Sequence, residues 1–106
     1  MEGKGVGVGL IGFGTIGTGL VRLLRDQAAD IRRRLGFPLR LVRVADLDIR
    51  SDRGVKLARG VMTRDAGRLI ADQRVDIVVE LMGGVEPART FALEAIKAGK
   101  SVVTAN

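Results

Sequence analysis

The run Gly12-Phe13-Gly14-Thr15-Ile16-Gly17 constrains the fold of this chain more than any other stretch. It has G-x-G-x-x-G spacing and lies between an apolar, β-branched segment and a helical pattern that begins at Thr15. In a strand–turn–helix unit, the first glycine makes a tight turn and the second lets the backbone approach a pyrophosphate. The third glycine lets the helix pack closely on the strand. The run therefore predicts a dinucleotide site at a helix N-terminus, with a glycine-rich turn of another α/β domain as the alternative.

Length and composition are those of one globular domain. The chain has 106 residues, of which 46% are hydrophobic and 28% charged. It contains no Cys and no His, which excludes disulfides and thiolate metal ligands, and we expect no metal site. A reducing, cytoplasmic setting fits this composition. The uncharged stretch from Gly5 to Val21 contains seven glycines, so we interpret it as strand and turn rather than as a signal peptide or membrane span.

The net charge of +6 raises the question of a nucleic-acid partner. Arg32, Arg33 and Arg34 form the densest basic cluster, at the end of the first helical pattern, where the helix dipole favours cations. No aromatic side chains interleave with this cluster, and the only aromatic residues are three Phe. We therefore interpret the cluster as a solvated helix end and expect neither a nucleic-acid nor a membrane partner.

Hydrophobic periodicity predicts alternating strands and helices. The predicted strands cover residues 6–11, 39–45, 61–62, 75–81 and 101–106, and the predicted helices cover residues 15–35, 65–72 and 87–99. The first helix is expected to end before Gly36 and to turn inward an apolar stripe of Ile16, Leu20, Leu24, Ala28, Ile31 and Leu35. The inner stripe expected for the last helix is Ala88, Phe91, Ala92, Ala95 and Ile96. This order is typical of a parallel sheet wound by right-handed crossovers. We predict an α/β fold, a Rossmann-type doubly wound parallel sheet with strand order 3-2-1-4-5 in a three-layer α/β/α arrangement.

Ligands of such sheets bind beyond the carboxyl ends of the strands. Asp46 stands at the end of the second strand, where an acidic residue accepts hydrogen bonds from the adenosine ribose in NAD-type folds; a turn cap is the alternative. A carboxylate there repels a 2′-phosphate, so we expect NAD or NADP with NAD favoured. Arg50 and Arg53 follow closely and could meet a 2′-phosphate, but we interpret both as solvated loop residues.

Two later blocks carry a resemblance to a known family. The segment from Glu80 reads E-L-M-G-G-V-E-P-A-R, and the segment from Val102 reads V-V-T-A-N. Together with the glycine turn, they resemble homoserine dehydrogenase over essentially the whole chain. The resemblance implies reduction of L-aspartate 4-semialdehyde to L-homoserine with NADH or NADPH, in the shared branch of threonine and methionine biosynthesis.

The resemblance also implies roles for individual residues. Thr15 and Ile16 would offer backbone N–H groups to the pyrophosphate, the segment from Met82 would pass beside the cofactor, and the V-V-T-A-N block would lie near the nicotinamide. Glu80 falls in the family block too, but a carboxylate that caps a neighbouring loop explains it as well. The predicted cofactor-binding residues are Gly12, Phe13, Gly14, Thr15, Ile16, Gly17, Asp46, Met82, Gly83, Gly84, Thr104 and Asn106.

The chain departs from the family pattern after Asn106, where the lysine of the family's T-A-N-K motif would follow. We therefore expect residues 1–106 to be an NAD(P)-binding Rossmann domain that lacks the substrate and catalytic domain, so we assign no catalytic residue. Homoserine and aspartate semialdehyde would then be partners of the full-length enzyme only, and the isolated chain would be inactive. An apolar strand edge at residues 101–105 leads us to expect a homo-oligomer.

Two other functions remain open at this point. The chain could be a non-catalytic module that senses NAD(H), although no helix-turn-helix or similar DNA-binding element accompanies it. It could also be the cofactor domain of a related semialdehyde or dihydrodipicolinate-type dehydrogenase, which would share the glycine turn but not E-L-M-G-G-x-E-P-A-R. The fold alone cannot separate these alternatives, since this architecture hosts many functions.

Overall fold

The computed structural model of the chain describes residues 5–105. Strands and helices alternate along it, because short β-branched runs alternate with longer amphipathic segments. In chain order they are β1 (Val6–Ile11), α1 (Thr15–Asp26), α2 (Ala28–Leu35), β2 (Leu39–Ala45), β3 (Met62–Thr63), α3 (Ala66–Ala71), β4 (Ile77–Glu80), α4 (Ala88–Lys97) and β5 (Ser101–Thr104). No helix within this described part is both long and apolar enough to cross a membrane.

The five strands form one parallel sheet in the order β3-β2-β1-β4-β5, which confirms the predicted fold class and strand order. The register brings the carboxyl ends of the strands into a single row. Across the sheet, this row consists of Thr63, Ala45, Ile11, Glu80 and Thr104. Every loop that leaves a strand end therefore starts from the same edge of the sheet, and the candidate site lies at this edge.

Apolar side chains are buried on both faces of the sheet, because successive residues of a strand point to opposite sides. One face packs against α3 and α4, with a core of Ile11, Ala45, Ala66, Leu69, Ile70, Val75, Val78 and Ala95. The other face packs against α1, with a core of Leu10, Phe13, Val21 and Val44. Helices on both sides of the sheet give the predicted three layers.

The first helical segment differs from the prediction. Residues 15–35 form two helices rather than one, and the break falls at Gln27, whose φ of −105° and ψ of 15° are not helical. Its inward face also differs, since Ile16 is 67% exposed while Gly17 and Val21 are buried. The reason is the close contact of α1 with the preceding turn, which places Gly17 inward and rotates Ile16 toward solvent.

Local signals set the ends of the other elements. Gly36 ends α2 in the left-handed conformation, with φ of 84°, as predicted. The Asp65 carboxylate caps α3 by accepting a hydrogen bond from the Arg68 N–H at 3.2 Å. The strand predicted over residues 75–81 is shorter, and the third strand lies one residue later than predicted. On α4, Ile96 was expected to point inward but is 59% exposed.

Candidate dinucleotide-binding site

The three glycines of the first turn differ in the space that surrounds them. Gly12 has φ of +103°, which other residues rarely adopt, and a Cβ there would lie 3.0 Å from the Leu81 carbonyl carbon. A Cβ at Gly17 would lie 2.3 Å from the Gly12 carbonyl oxygen, so only glycine allows α1 to start this close to the turn. A Cβ at Gly14 would meet nothing within 4 Å. The space next to Gly14 is therefore open to a ligand.

The N-terminus of α1 faces this open space with unsatisfied donors. Gly14 is the N-cap residue and has no side chain to cap the helix, and the first turn contains no acidic residue. The Thr18 N–H is the first to be used within the helix, since it donates to the Gly14 carbonyl at 2.9 Å. The N–H groups of Thr15 and Ile16, both exposed residues, precede it. This arrangement suits a pyrophosphate, whose charge the helix dipole also favours.

Phe13 and Asp46 join the glycine turn to the end of β2. The Phe13 ring is only 3% exposed and belongs to the core, while the Phe13 N–H donates to Asp46 Oδ2 at 2.8 Å. The Gly12 N–H donates to the Ala45 carbonyl at 2.8 Å. Phe13 therefore lies inside the predicted site but has its ring in the core and its N–H bonded to Asp46. The Asp46 side chain lies at the turn, and its carboxylate already holds this turn in place.

Arg53 is not the solvated loop residue that the sequence suggested. Its side chain is 17% exposed, and its guanidinium forms ion pairs with Asp46 at 3.3 Å and with Asp48 at 3.7 Å. The guanidinium carbon also lies 5.0 Å from the centre of the Phe13 ring, within range of a cation–π interaction. Two carboxylates and an aromatic face thus hold Arg53 against the turn, whereas Arg50 is exposed as expected.

Asp48 organises the loop that carries these arginines. Its Oδ1 accepts hydrogen bonds from the Ser51 N–H at 3.0 Å and the Arg50 N–H at 3.1 Å. Hydrogen bonds from Ser51, then from Arg50, together with the nearby charge of Arg53, lower the pKa of Asp48 to about 2. Asp48 is therefore ionised at neutral pH and acts as a fixed acceptor for the loop.

A second pair of contacts ties the ends of β4 and β5 together. Glu80 is 1% exposed, and its Oε2 accepts a hydrogen bond from the Met82 N–H at 2.6 Å. Its Oε1 accepts a hydrogen bond from the Thr104 hydroxyl at 2.5 Å. The sequence left Glu80 as a capping residue. An acidic residue inside an apolar strand was the signal that it needed buried partners.

The remaining predicted residues lie along the same edge of the sheet. Met82 is the second residue after the end of β4, and Gly83 and Gly84 follow it as exposed residues. Thr104 ends β5 beside Glu80. Asn106, also predicted at the site, lies outside the described residues.

A cavity of about 130 Å³ opens between the glycine turn, the end of β2 and the start of α4. It is lined by Ile11, Gly12, Ala45, Asp46, Leu47, Arg64, Ala66, Met82, Pro87 and Phe91. Seven of these wall residues were not predicted at the site from the sequence: Ile11, Ala45, Leu47, Arg64, Ala66, Pro87 and Phe91. Leu47 is a large apolar residue directly after the strand-end Asp46, and this position was a signal in the sequence. In the structure it is 81% exposed beside the cavity.

Comparison with known proteins agrees with this geometry. The family model described as homoserine dehydrogenase, NAD binding domain, matches residues 12–106. A homoserine dehydrogenase of Corynebacterium glutamicum is 48% identical over 105 residues, which are 98% of this chain and 23% of that protein. One of Mycobacterium tuberculosis is 45% identical over 103 residues, again 23% of its length. The chain thus spans about a quarter of the length of the curated relatives it matches.

Solved structures show the same fold. A homoserine dehydrogenase from Thiobacillus denitrificans has a TM-score of 0.87 and 44% identity, covering 100% of this chain and 25% of that one. A homoserine dehydrogenase of S. aureus at pH 7.0 has a TM-score of 0.86 and 30% identity, covering 95% and 26%. The match to the Thiobacillus denitrificans structure covers the whole chain, including the glycine turn and the strand-end loops. The chain therefore belongs to the homoserine dehydrogenase family and corresponds to its NAD-binding domain.

Proposed function

We propose that this chain binds a nicotinamide dinucleotide at the carboxyl edge of its sheet, as the cofactor domain of an NAD(P)-dependent homoserine dehydrogenase. The observation that supports this most strongly is the open space at Gly14 in front of the uncapped N-terminus of α1. A side chain is missing there, and N–H donors converge where a pyrophosphate would need them. The proposed contact residues are Gly12, Phe13, Gly14, Thr15, Ile16, Gly17, Asp46, Met82, Gly83, Gly84, Thr104 and Asn106.

The two ends of the edge suit the two halves of the cofactor. On the β2 side, Asp46 offers acceptor oxygens to a ribose, and the mainly apolar cavity beside Leu47 suits a flat base. On the β4 and β5 side, the exposed glycines after Met82 allow the backbone to approach the nicotinamide half closely. The bound cofactor would supply hydride transfer, and these residues would fix where its nicotinamide lies.

We propose that residues 1–106 act within a longer enzyme that interconverts L-homoserine and L-aspartate 4-semialdehyde. The relatives that carry the name are about four times longer than the matched region, and a substrate must be held against the nicotinamide for hydride transfer. Under this proposal the substrate and its proton donor are held by residues outside this chain. The 106-residue chain would then bind the cofactor without turning over homoserine.

We further propose a modest preference for NAD(H) over NADP(H). The Asp46 carboxylate would accept a hydrogen bond from the ribose 2′-hydroxyl, since a carboxylate has about four acceptor positions. Its contacts with the Phe13 N–H, the Asp48 N–H and the Arg53 guanidinium use three of them. It would also repel a 2′-phosphate. Arg53 opposes this preference, because its guanidinium lies 3.3 Å from the same carboxylate and would attract the phosphate.

Calorimetric titration with NADH and NADPH tests both proposals. We expect the wild-type chain to bind both, with NADH the tighter ligand. Asp46→Asn removes the charge of the side chain and keeps its shape, so it should reduce the preference for NADH over NADPH. Arg53→Gln removes the cation that would attract the 2′-phosphate, so it should increase this preference. Failure of the folded wild-type chain to bind either dinucleotide would refute the site, and tighter binding of NADPH would refute the role of Asp46.

A further inference from the structure

Glu80 is a buried acid that the proposed chemistry does not use. It ends β4, between the ends of β1 and β5, and its side chain is among the largest fully buried ones in the described structure. Within residues 5–105, no arginine or lysine forms an ion pair with it. Burial of a carboxyl group without a cation is costly unless hydrogen bonds compensate. A non-polar residue could occupy this position in the sheet without the free-energy cost of burying a carboxyl group. The Glu80 carboxyl group is therefore expected to have a specific role.

The two hydrogen bonds of Glu80 point to that reason. Oε2 holds the Met82 N–H at 2.6 Å, on the loop that leaves β4, and Oε1 holds the Thr104 hydroxyl at 2.5 Å, at the end of β5. The backbone carbonyl of Glu80 also accepts from the Ala105 N–H at 3.2 Å. One residue therefore sets the distance between two segments that leave adjacent strands. Both segments lie on the side of the edge that is assigned above to the nicotinamide half.

One of these segments is a glycine loop and the other ends a strand at the edge of the sheet. Gly83 and Gly84 are exposed, and a Cβ at either would meet nothing within 4 Å. β5 is an edge strand of the sheet, and Thr104 is its last residue. A glycine loop and a strand end of this kind are places where a chain can shift without loss of core packing. A short, buried, two-sided acceptor would prevent such a shift.

We propose that Glu80 is a positioning residue, which holds the Met82 loop and Thr104 at the separation needed to receive the nicotinamide riboside half of the cofactor. This proposal rests on the proposed function, since it concerns the second half of the same site. Glu80 does not touch the cofactor and acts through its two partners. Its length matters more than its charge, because it must reach both segments at once.

Two variants separate length from charge. Glu80→Asp keeps the charge but is one methylene shorter, so it cannot reach both the Met82 N–H and the Thr104 hydroxyl. Glu80→Gln keeps the length: its amide oxygen can accept from the Met82 N–H, and its NH₂ can donate to the Thr104 hydroxyl, which both donates and accepts. The readout is the ratio of the NADH and ADP dissociation constants, because ADP has the adenosine and pyrophosphate but no nicotinamide riboside.

We expect the wild-type chain to bind NADH more tightly than ADP. Loss of one hydrogen bond in Glu80→Asp should weaken NADH binding about threefold to tenfold and leave the affinity for ADP unchanged. Glu80→Gln should keep the wild-type ratio. If Glu80 had a purely structural role, Glu80→Asp would weaken the binding of both ligands equally or of neither, and either result overturns the proposal. A selective loss of NADH binding in Glu80→Gln also overturns it.

Thermal unfolding of each variant shows whether it is folded. If Glu80→Asp does not fold, the ratio in Glu80→Gln still decides, since a changed ratio there contradicts a role based on length. Equal binding of NADH and ADP by the wild-type chain would refute the positioning role alone. Binding of neither ligand would refute the proposed function, and the positioning role with it.

Discussion

Replacement of Gly14 by valine should abolish most dinucleotide binding while the fold survives. Gly14 has φ of −83° and ψ of −155°, an extended conformation that any residue adopts, and a Cβ there meets no atom within 4 Å. The valine side chain would therefore enter the open space in front of α1 without a clash in the protein. The same space is where the pyrophosphate must approach the backbone.

The expected magnitudes differ for folding and for binding. Valine is a poorer N-cap residue than glycine, which costs about 1 kcal/mol of stability. A hydrogen bond from an N–H to a charged phosphate contributes about 1.5–3 kcal/mol, so the loss of one such bond weakens binding about tenfold to hundredfold. A direct steric conflict with the phosphate would add to this loss. Binding should thus fall far more than stability.

Gly19→Val is the matched control. Gly19 is exposed on α1, and a Cβ there also meets nothing within 4 Å. Valine is slightly better than glycine inside a helix, so this variant should be at least as stable as the wild type and should bind NADH normally. Calorimetry with NADH measures the affinity, and circular dichroism on heating measures the fold. If folded Gly14→Val binds NADH as tightly as Gly19→Val, the pyrophosphate does not lie at this turn and the reasoning is wrong.

Three further predictions concern catalysis, association and pH. The purified 106-residue chain should not produce NADH from homoserine, because it spans about a quarter of its relatives; production that scales with protein concentration would contradict this. The chain should self-associate through β5, an edge strand where Val103 is 54% exposed, and Val103→Lys should reduce the mass seen by light scattering; a monomeric wild type at high concentration would count against it. Asp72 is bonded first by Arg74 and also by Arg43, which hold the pKa of its carboxyl well below the usual 3.8. Its stabilising contribution is present above that usual value and lost as the pH falls through the lowered one, so Asp72→Asn should lower the urea midpoint near neutral pH. The difference from the wild type should shrink in strong acid, and a difference that does not depend on pH would refute the role of the charge.

Local patterns in the sequence were sufficient for the architecture. β1 and β2 have the predicted bounds, because their apolar residues, interrupted in β2 by Arg40 and Arg43, lie between clear breaks in the pattern. The strand order follows from chain connectivity, since right-handed crossovers of parallel strands allow few arrangements. The structural roles of Gly12 and Gly17 were also predicted, because only backbone geometry determines them and their spacing is local.

Contacts between distant residues could not be predicted in this way. The sequence placed Arg53 in solvent, because composition alone describes residues 49–60 as a polar loop. Its burial depends on the Phe13 ring, 40 positions earlier, and on Asp46, which the fold brings to the same point. The inward face of α1 was also predicted wrongly. The close contact between Gly17 and Gly12 sets which side of the helix faces the sheet, and hydrophobic periodicity carries no information about this contact.

Glu80 shows most clearly where sequence and tertiary structure divide. The sequence by itself determined that an acid lies near the end of a buried strand, that glycines follow it and that a threonine lies in the last strand. Only the tertiary structure decided that β4 and β5 are neighbours in a register that pairs Glu80 with Thr104, so that one carboxylate reaches two loops. The physical reason is the distance along the chain over which each kind of information acts. Hydrophobic periodicity and turn geometry act over a few residues, whereas the partner of a buried polar group is chosen by the packing of the whole sheet.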